Sequence, residues 1–190
     1  MVVVAELEPR DVHMTVEVYL AYERTSEIKH EYVDGHVYAM AGGTLDHADI
    51  GTNVVLALRE RLRGNACRVR NSDARVQVSA TRYFYPDASI SCHPDDRGAV
   101  VAVRYPTVVL EVLSDSTREY DRGDKFGHYR SSPTLEEYVL VETERREVEV
   151  FRREADGAWV GHRYRDAEDI ELASVDVRCP VAAFYEDIDL

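Results

Sequence analysis

The run Thr107-Val-Val-Leu-Glu-Val-Leu113 carries a single charge, Glu111, in an otherwise apolar stretch. Alternate side chains of a strand point to opposite faces, so this run is apolar on both. Such a strand is interior, and the chain must cover it from two sides. A carboxylate inside it is costly unless it is paired, hydrogen-bonded or on a metal. Glu111 is therefore the first candidate functional residue, read either as a metal ligand or as a structural hydrogen-bond partner.

The flanking sequence supplies the covering layers. Residues 15–30 read as a helix with Thr15 as N-cap. Asp34-Gly35 is a two-residue turn signal, so 31–38 reads as a hairpin. Residues 45–63 are the clearest helix, with Thr44 as N-cap and Ile50, Val54, Leu58 and Leu62 as an apolar stripe. Strands are predicted near 67–78, 83–91 and 106–113, then a helix near 117–131, weakened by Gly123 and Gly127 and ended by Pro133. Further strands are predicted at 137–141, 147–151 and 158–164, with a short helix at 181–185. The core order is helix, three strands, helix, strand. Residues 1–11 read as a flexible tail before a single domain over 12–190.

Two acids and one amine stand out. Asp87 ends the aromatic strand at Tyr85-Pro86-Asp87, and if the strands pair it can meet Glu111 on one side of the sheet. Of 23 lysines and arginines only Lys29 and Lys125 are lysines, and Lys125 lies on the helix that follows the Glu111 strand. A compact ammonium with an adjustable pKa differs from a guanidinium. Two carboxylates and a lysine are the minimal parts of a metal-dependent phosphodiester hydrolase; an ordinary helical Asp121–Lys125 pair is the plainer reading. His47, in the first turn of the long helix, could ligate a metal, act as a base or contact phosphate, or be a structural histidine. Glu31 and Asp73 are isolated acids that could join the cluster. P-loop, zincin and serine-hydrolase signatures are absent.

Bulk properties bound the rest. The 190 residues are 45% hydrophobic and 31% charged, globular values that fit one domain. No apolar run approaches a membrane span, and the N-terminus does not read as a signal peptide. Cys67, Cys92 and Cys179 make neither a zinc pattern nor a disulfide framework, so a reducing cytoplasm is expected. The net charge of −13 cuts against nucleic-acid binding. Yet residues 59–75 carry six arginines against Glu60 and Asp73, a local excess of four positive charges. That patch reads as a solvated helix end, with a phosphate-tracking surface as the alternative.

Taken in order, Glu31-Tyr-Val-Asp-Gly, His47 opening a helix, Tyr85-Pro-Asp87, Glu111-Val-Leu-Ser-x-Ser-Thr117, Asp121-x-x-x-Lys125 and Glu137-Tyr-Val-Leu-Val141 resemble the Uma-type restriction endonucleases. That family belongs to the PD-(D/E)XK nuclease superfamily, and the resemblance runs from about residue 12 to 186. It implies an α/β fold with a mixed central sheet flanked by helices, a restriction-endonuclease-like core, and a magnesium-type site for phosphodiester hydrolysis. It transfers metal-ligand roles to Asp87 and Glu111, with the Val112 carbonyl as a third ligand. The superfamily lysine usually sits two residues after the second acid. Here that residue is Leu113, so Lys125 is expected to supply the amine from the next helix. The reading is a cytoplasmic, Mg²⁺- or Mn²⁺-dependent endonuclease acting on DNA, with catalytic residues Asp87, Glu111, Lys125 and His47. Glu31 and Asp73 rank second, and a homodimer is expected, with residues 145–165 and Trp159 as its surface. The rival is a non-catalytic dimeric module that keeps the fold and binds metal or a partner. The −13 charge and Leu113 favour that rival, and the retained Lys125 favours the enzyme.

Overall fold

The computed structural model describes residues 13–40 and 42–190. The tail expected over 1–11 lies outside the described residues. Thr15 caps α1 (Val16–Glu23), its Oγ1 accepting from the Val18 N–H at 3.4 Å. This helix is shorter than the expected 15–30. The Thr25 and Ser26 amides both bond the Tyr22 carbonyl, and Ser26 Oγ accepts from the Ile28 N–H, which turns the chain away. β1 (His30–Val33) and β2 (His36–Ala39) form the expected hairpin. Asp34 and Gly35 both take positive φ, 48° and 102°, as a tight two-residue turn demands.

Thr44 caps α2 (Leu45–Arg61), accepting from the His47 N–H at 3.2 Å. The predicted stripe is the buried one: Ile50, Val54 and Leu58 are fully enclosed and Leu62 nearly so. Each such side chain contributes about 1.5–3 kcal/mol relative to exposure. α2 packs with β3 (Arg68–Asn71) and the C-terminal segment.

Two predicted strands are each two strands. The first divides into β3 and β4 (Val76–Ser79), the second into β5 (Arg82–Phe84) and β6 (Ala88–Ser91). The breaks fall at the turn Asn71–Ala74 and at Pro86, which offers no N–H to a ladder. Each half then joins a different sheet. β7 (Val108–Val112) is the interior strand expected, buried at every position.

The helix expected at 117–131 is likewise split, into α3 (Arg118–Arg122) and α4 (Asp124–Tyr129). Gly123 sits between them at φ −108°, ψ −100°, outside the helical region. β8 (Glu137–Val141), β9 (Glu147–Arg153) and β10 (Trp159–Arg165) follow as expected, and β11 (Asp169–Leu172) with β12 (Val177–Pro180) adds an unforeseen hairpin. Val181–Phe184 is a short 3₁₀ turn where a last helix was expected.

The strands form a six-stranded sheet ordered β10-β9-β8-β7-β6-β3 and a four-stranded sheet ordered β2-β1-β5-β4. Only β7 and β8 run parallel in the larger sheet, so it is mixed. Val108, Leu110 and Val112 pack into the core beneath α2. Val109 and Leu113 face the other core, with Phe126 and Tyr129 of α4. Glu111, by period 2, points the same way as Val109 and Leu113.

The cysteine expectation fails. Cys67 and Cys92 form a disulfide, while Cys179 is free and buried. β3 and β6 pair Arg68 with Ser91, so the next positions outward place Cys67 opposite Cys92. Sequence spacing could not reveal that register, and the cysteines no longer argue for a reducing compartment. Among the described residues no helix is long and apolar enough to cross a membrane. β10 is an edge strand of the larger sheet. Its Trp159 is half-buried within its own chain, perpendicular to Phe126 with ring centroids 5.4 Å apart.

Candidate active site

Antiparallel register builds the acid pair. β6 and β7 match Ala88 with Leu110, so one step further brings Asp87 opposite Glu111. Directly opposed residues of an antiparallel pair share a face. Pro86 ends the ladder there and frees the Asp87 side chain to reach sideways. Its Oδ2 accepts from the Val112 N–H at 2.7 Å. Glu111 is 3% exposed, whereas the Asp87 side chain is about one-fifth exposed, so Asp87 marks the open end.

Lys125 enters from α4, on the Glu111 side of the sheet. Its Nζ lies 3.0 Å from Glu111 Oε1, 3.1 Å from Glu31 Oε1 and 3.5 Å from Asp121 Oδ1. The three acids come from β7, β1 and α3, so the ammonium ties both sheets and the helical segment together. No contact within ion-pair distance joins it to Asp87 among the described residues. Leu113, at the usual lysine position, is fully buried with Phe126 and Tyr129.

These contacts are unusual in one respect. Glu31 Oε1 and Glu111 Oε1 are buried and close to the ammonium, yet neither has an aligned hydrogen-bond donor. Other buried acids are fully satisfied. Glu137 accepts from Arg152, from the Ala173 amide and from both the amide and hydroxyl of Ser174. Asp96 accepts from Ser91 and two backbone amides. Native interiors rarely leave such atoms unmatched. Atoms without an aligned partner also occur elsewhere, on Arg70, Arg75, Arg146 and His162 among others, but Glu31 and Glu111 are the acids among them.

The electrostatics agree. Burial pushes the Glu111 carboxyl well above the usual range; Lys125 opposes this, and Asp121, Asp87 and Glu31 reinforce it. Burial also raises Glu31 and Asp87, against Lys125 for the first and His47 for the second. For Lys125 burial would lower the pKa, but Glu111 and Glu31 outweigh it and hold the amine protonated well above its usual range. Clusters of perturbed acids and amines in one place are typical of functional sites.

His47 stands at the open end, its Nε2 3.6 Å from Asp87 Oδ2, an ion-pair distance rather than a hydrogen bond. Glu31 joins the cluster because β1 alternates: His30 turns to Glu23 of α1, and Glu31 turns to Lys125. Asp73 is not brought there. It sits in the exposed turn after β3, where Lys29 holds its Oδ1 at 2.6 Å. Asp121, expected as a helical partner of Lys125 and part of the Asp121-x-x-x-Lys125 motif but not ranked as a site residue, is 3% exposed and part of the cluster. Its spacing of four from Lys125 was the available signal. Tyr138 lies against it, donating to the Asp121 carbonyl at 3.0 Å. On the same helical segment Asp124 is exposed and His128 stacks on Phe84, so neither joins the cluster.

Carboxylate oxygens suit a hard divalent cation. Among the described residues no three His, Cys, Asp or Glu side chains converge as a ready ligand set. The carboxylates placed to hold such a cation are Glu111, whose Oε1 already contacts the Lys125 ammonium, and the partly open Asp87, whose Oδ2 accepts from the Val112 N–H.

The family model Uma2, described as "Putative restriction endonuclease", matches residues 16–182. The uncharacterized protein slr1290 of Synechocystis sp. (strain ATCC 27184 / PCC 6803 / Kazusa) is 36% identical over 176 residues, covering 92% of this chain and 93% of that protein. A second protein of that organism, sll1609, is 29% identical over 150 residues, 77% of this chain and 85% of its own. The crystal structure of "a putative nuclease belonging to DUF820" from Anabaena variabilis ATCC 29413 superposes with a TM-score of 0.75 at 14% identity, covering 91% of this chain and 98% of that one. At that identity the likeness speaks for the fold alone.

Proposed function

Because this chain belongs to the Uma2 family of restriction-endonuclease-like proteins, we propose that it is a divalent-cation-dependent endonuclease that hydrolyses phosphodiester bonds of DNA. The observation that carries this reading is the buried Lys125 ammonium at 3.0 Å from Glu111 and 3.1 Å from Glu31, with Asp87 opposite Glu111. Asp87, Glu111 and the Val112 carbonyl would hold Mg²⁺ or Mn²⁺, and the bound cation would supply Lewis-acid polarisation of the phosphate.

The remaining roles belong to the protein. Lys125 carries three donors on a point charge and is held protonated, so it can stabilise charge developing on the phosphoryl oxygens. Glu31 and Asp121 position it, replacing the strand lysine of the superfamily pattern with one delivered by α4. His47 is placed at the open end to exchange a proton or contact the phosphate. Burial beneath the sheet and α4 excludes water from all but the Asp87 side.

A second reading has its own support: the ammonium lies beside Glu111, and among the described residues no three-ligand set converges. In that reading the fold binds without cutting. Supercoiled plasmid incubated with Mg²⁺, Mn²⁺ or EDTA separates the two. Nicking with metal, lost in EDTA and in Asp87→Ala, supports the nuclease. An intact plasmid and intact RNA under every condition would establish the non-catalytic module.

A further inference from the structure

Residues 59–68 contain four arginines that the catalytic cluster does not use. Arg59, Arg61, Arg63 and Arg68 line a groove of about 840 Å³ between the C-terminal half of α2, β3 and the C-terminal segment, with Glu60 and Glu186 as its acids. Among the described residues none of the four arginines has a carboxylate oxygen within 4.0 Å. Arg118, Arg122, Arg145 and Arg152 by contrast contact buried glutamates, although Arg70, Arg75, Arg97 and Arg153 are, like the groove arginines, held by carbonyls. Two groove arginines are oriented by carbonyls instead. Arg61 donates to the Ala57 and Arg178 carbonyls, and Arg68 donates to those of Asn65 and Cys67. Carbonyls position a guanidinium without cancelling its charge.

We propose that this groove is a docking surface for the sugar-phosphate backbone of double-stranded nucleic acid, separate from the catalytic cluster; the proposal rests on the nuclease reading. Charge selects the occupant. With +4 over residues 59–75 and −13 in total, the rest of the chain carries −17, so this segment is a positive island on a chain that on average repels a polyanion. Planar guanidinium forks match phosphate oxygens. Among the described residues no aromatic side chain lines the groove, so it offers no stacking platform of the kind that binds single strands. Position fits as well. Arg59 lies twelve residues beyond His47 on the same helix, about 18 Å at 1.5 Å per residue. That span is roughly five steps of 3.4 Å along one strand. A duplex anchored at the arginines therefore reaches the end of α2 where Asp87 and His47 lie.

The test is equilibrium binding of a labelled 20-base-pair duplex by fluorescence anisotropy, in EDTA, from about 50 to 200 mM salt. Each lost phosphate contact lowers the slope of log affinity against log salt by about one. Arg59→Ala/Arg63→Ala should lower it by about two, and Arg59→Lys/Arg63→Lys, which keeps the charge, should retain most of it. Thermal unfolding of the same proteins is followed in parallel. Arginines in the last turn of α2 also offset the negative end of its dipole. Loss of stability with an unchanged slope would assign them to that role and overturn the proposal. So would equal slopes for all three proteins, no duplex binding by the wild type, or arginine-dependent binding to anionic lipid vesicles in its place. Because binding is read in EDTA, a slope change without any cleavage would keep the groove while removing the nuclease reading.

Discussion

Replacing Lys125 by methionine keeps most of the side-chain volume and deletes the charge. The ammonium contacts three buried carboxylate oxygens at 3.0, 3.1 and 3.5 Å. At an effective dielectric constant of about 20, each contact is on the order of 5 kcal/mol of gross attraction. Most of this is offset by desolvation of the four charges and by repulsion among the acids. Removing one partner of such a buried set typically costs about 3–5 kcal/mol net, because the other charges stay buried and unpaired. For a chain of this size that is a fall in Tm of roughly 6–20 °C at neutral pH. The pH dependence follows from the shifts. Glu111 and Glu31 have folded pKa values above their unfolded ones. Protonating them stabilises the fold, and that stability is complete below about pH 4.3 and is lost as pH rises through the folded values. Lys125 is also raised, so its contribution holds below about pH 10.4 and is lost as pH climbs through its folded value. Without the ammonium the two glutamates rise further. The gap between wild type and Lys125→Met is therefore widest at neutral pH and narrows toward pH 4, where the two glutamates' share of the attraction is lost. Thermal unfolding by circular dichroism at pH 4, 5.5 and 7.5 reads this directly. Equal stability of the two proteins at pH 7.5, or a gap that does not change with pH, would refute the electrostatic account of the cluster.

Millimolar Mn²⁺ should raise the Tm of the wild type by binding the native state, and Asp87→Ala and Glu111→Ala should each lose that shift in differential scanning fluorimetry. Lys125→Arg should fail to cleave plasmid although it keeps the charge, since a guanidinium cannot replace a compact ammonium among three carboxylates; gel assays beside the wild type check it. Reducing the Cys67–Cys92 bond, which spans 25 residues, should cost about 2–4 kcal/mol, read as a lower denaturation midpoint in dithiothreitol and matched by Cys92→Ser. The surface expected for a homodimer, residues 145–165, includes the edge strand β10, and sedimentation of the wild type against Val160→Lys should show dissociation if that edge pairs.

Much of the candidate cluster was legible in the sequence because its signals are local. Glu111 stands out as a carboxylate in an apolar strand, Asp87 as the acid after Pro86, and Lys125 as one of two lysines among many arginines. Thr15, Thr44 and Asp34-Gly35 act on neighbours within four residues, so their caps and turn could be read directly. Tertiary structure alone decided the rest. Two predicted strands broke and fed separate sheets, because Pro86 and the Asn71–Ala74 turn permit a change of partner but do not name it. Cys67 met Cys92 through a strand register that spacing does not encode. Glu31 and Lys125, far apart in the chain, came within 3.1 Å only when one sheet, with its own hairpin, packed beside the helical segment that covers the other. Asp73, an equally plausible acid by sequence, was carried to an exposed turn. Local propensity and hydrophobic period act over a few residues, and they chose the elements and flagged the costly charges. Which of those charges share one buried space is a property of long-range packing, and only the folded chain could assign it.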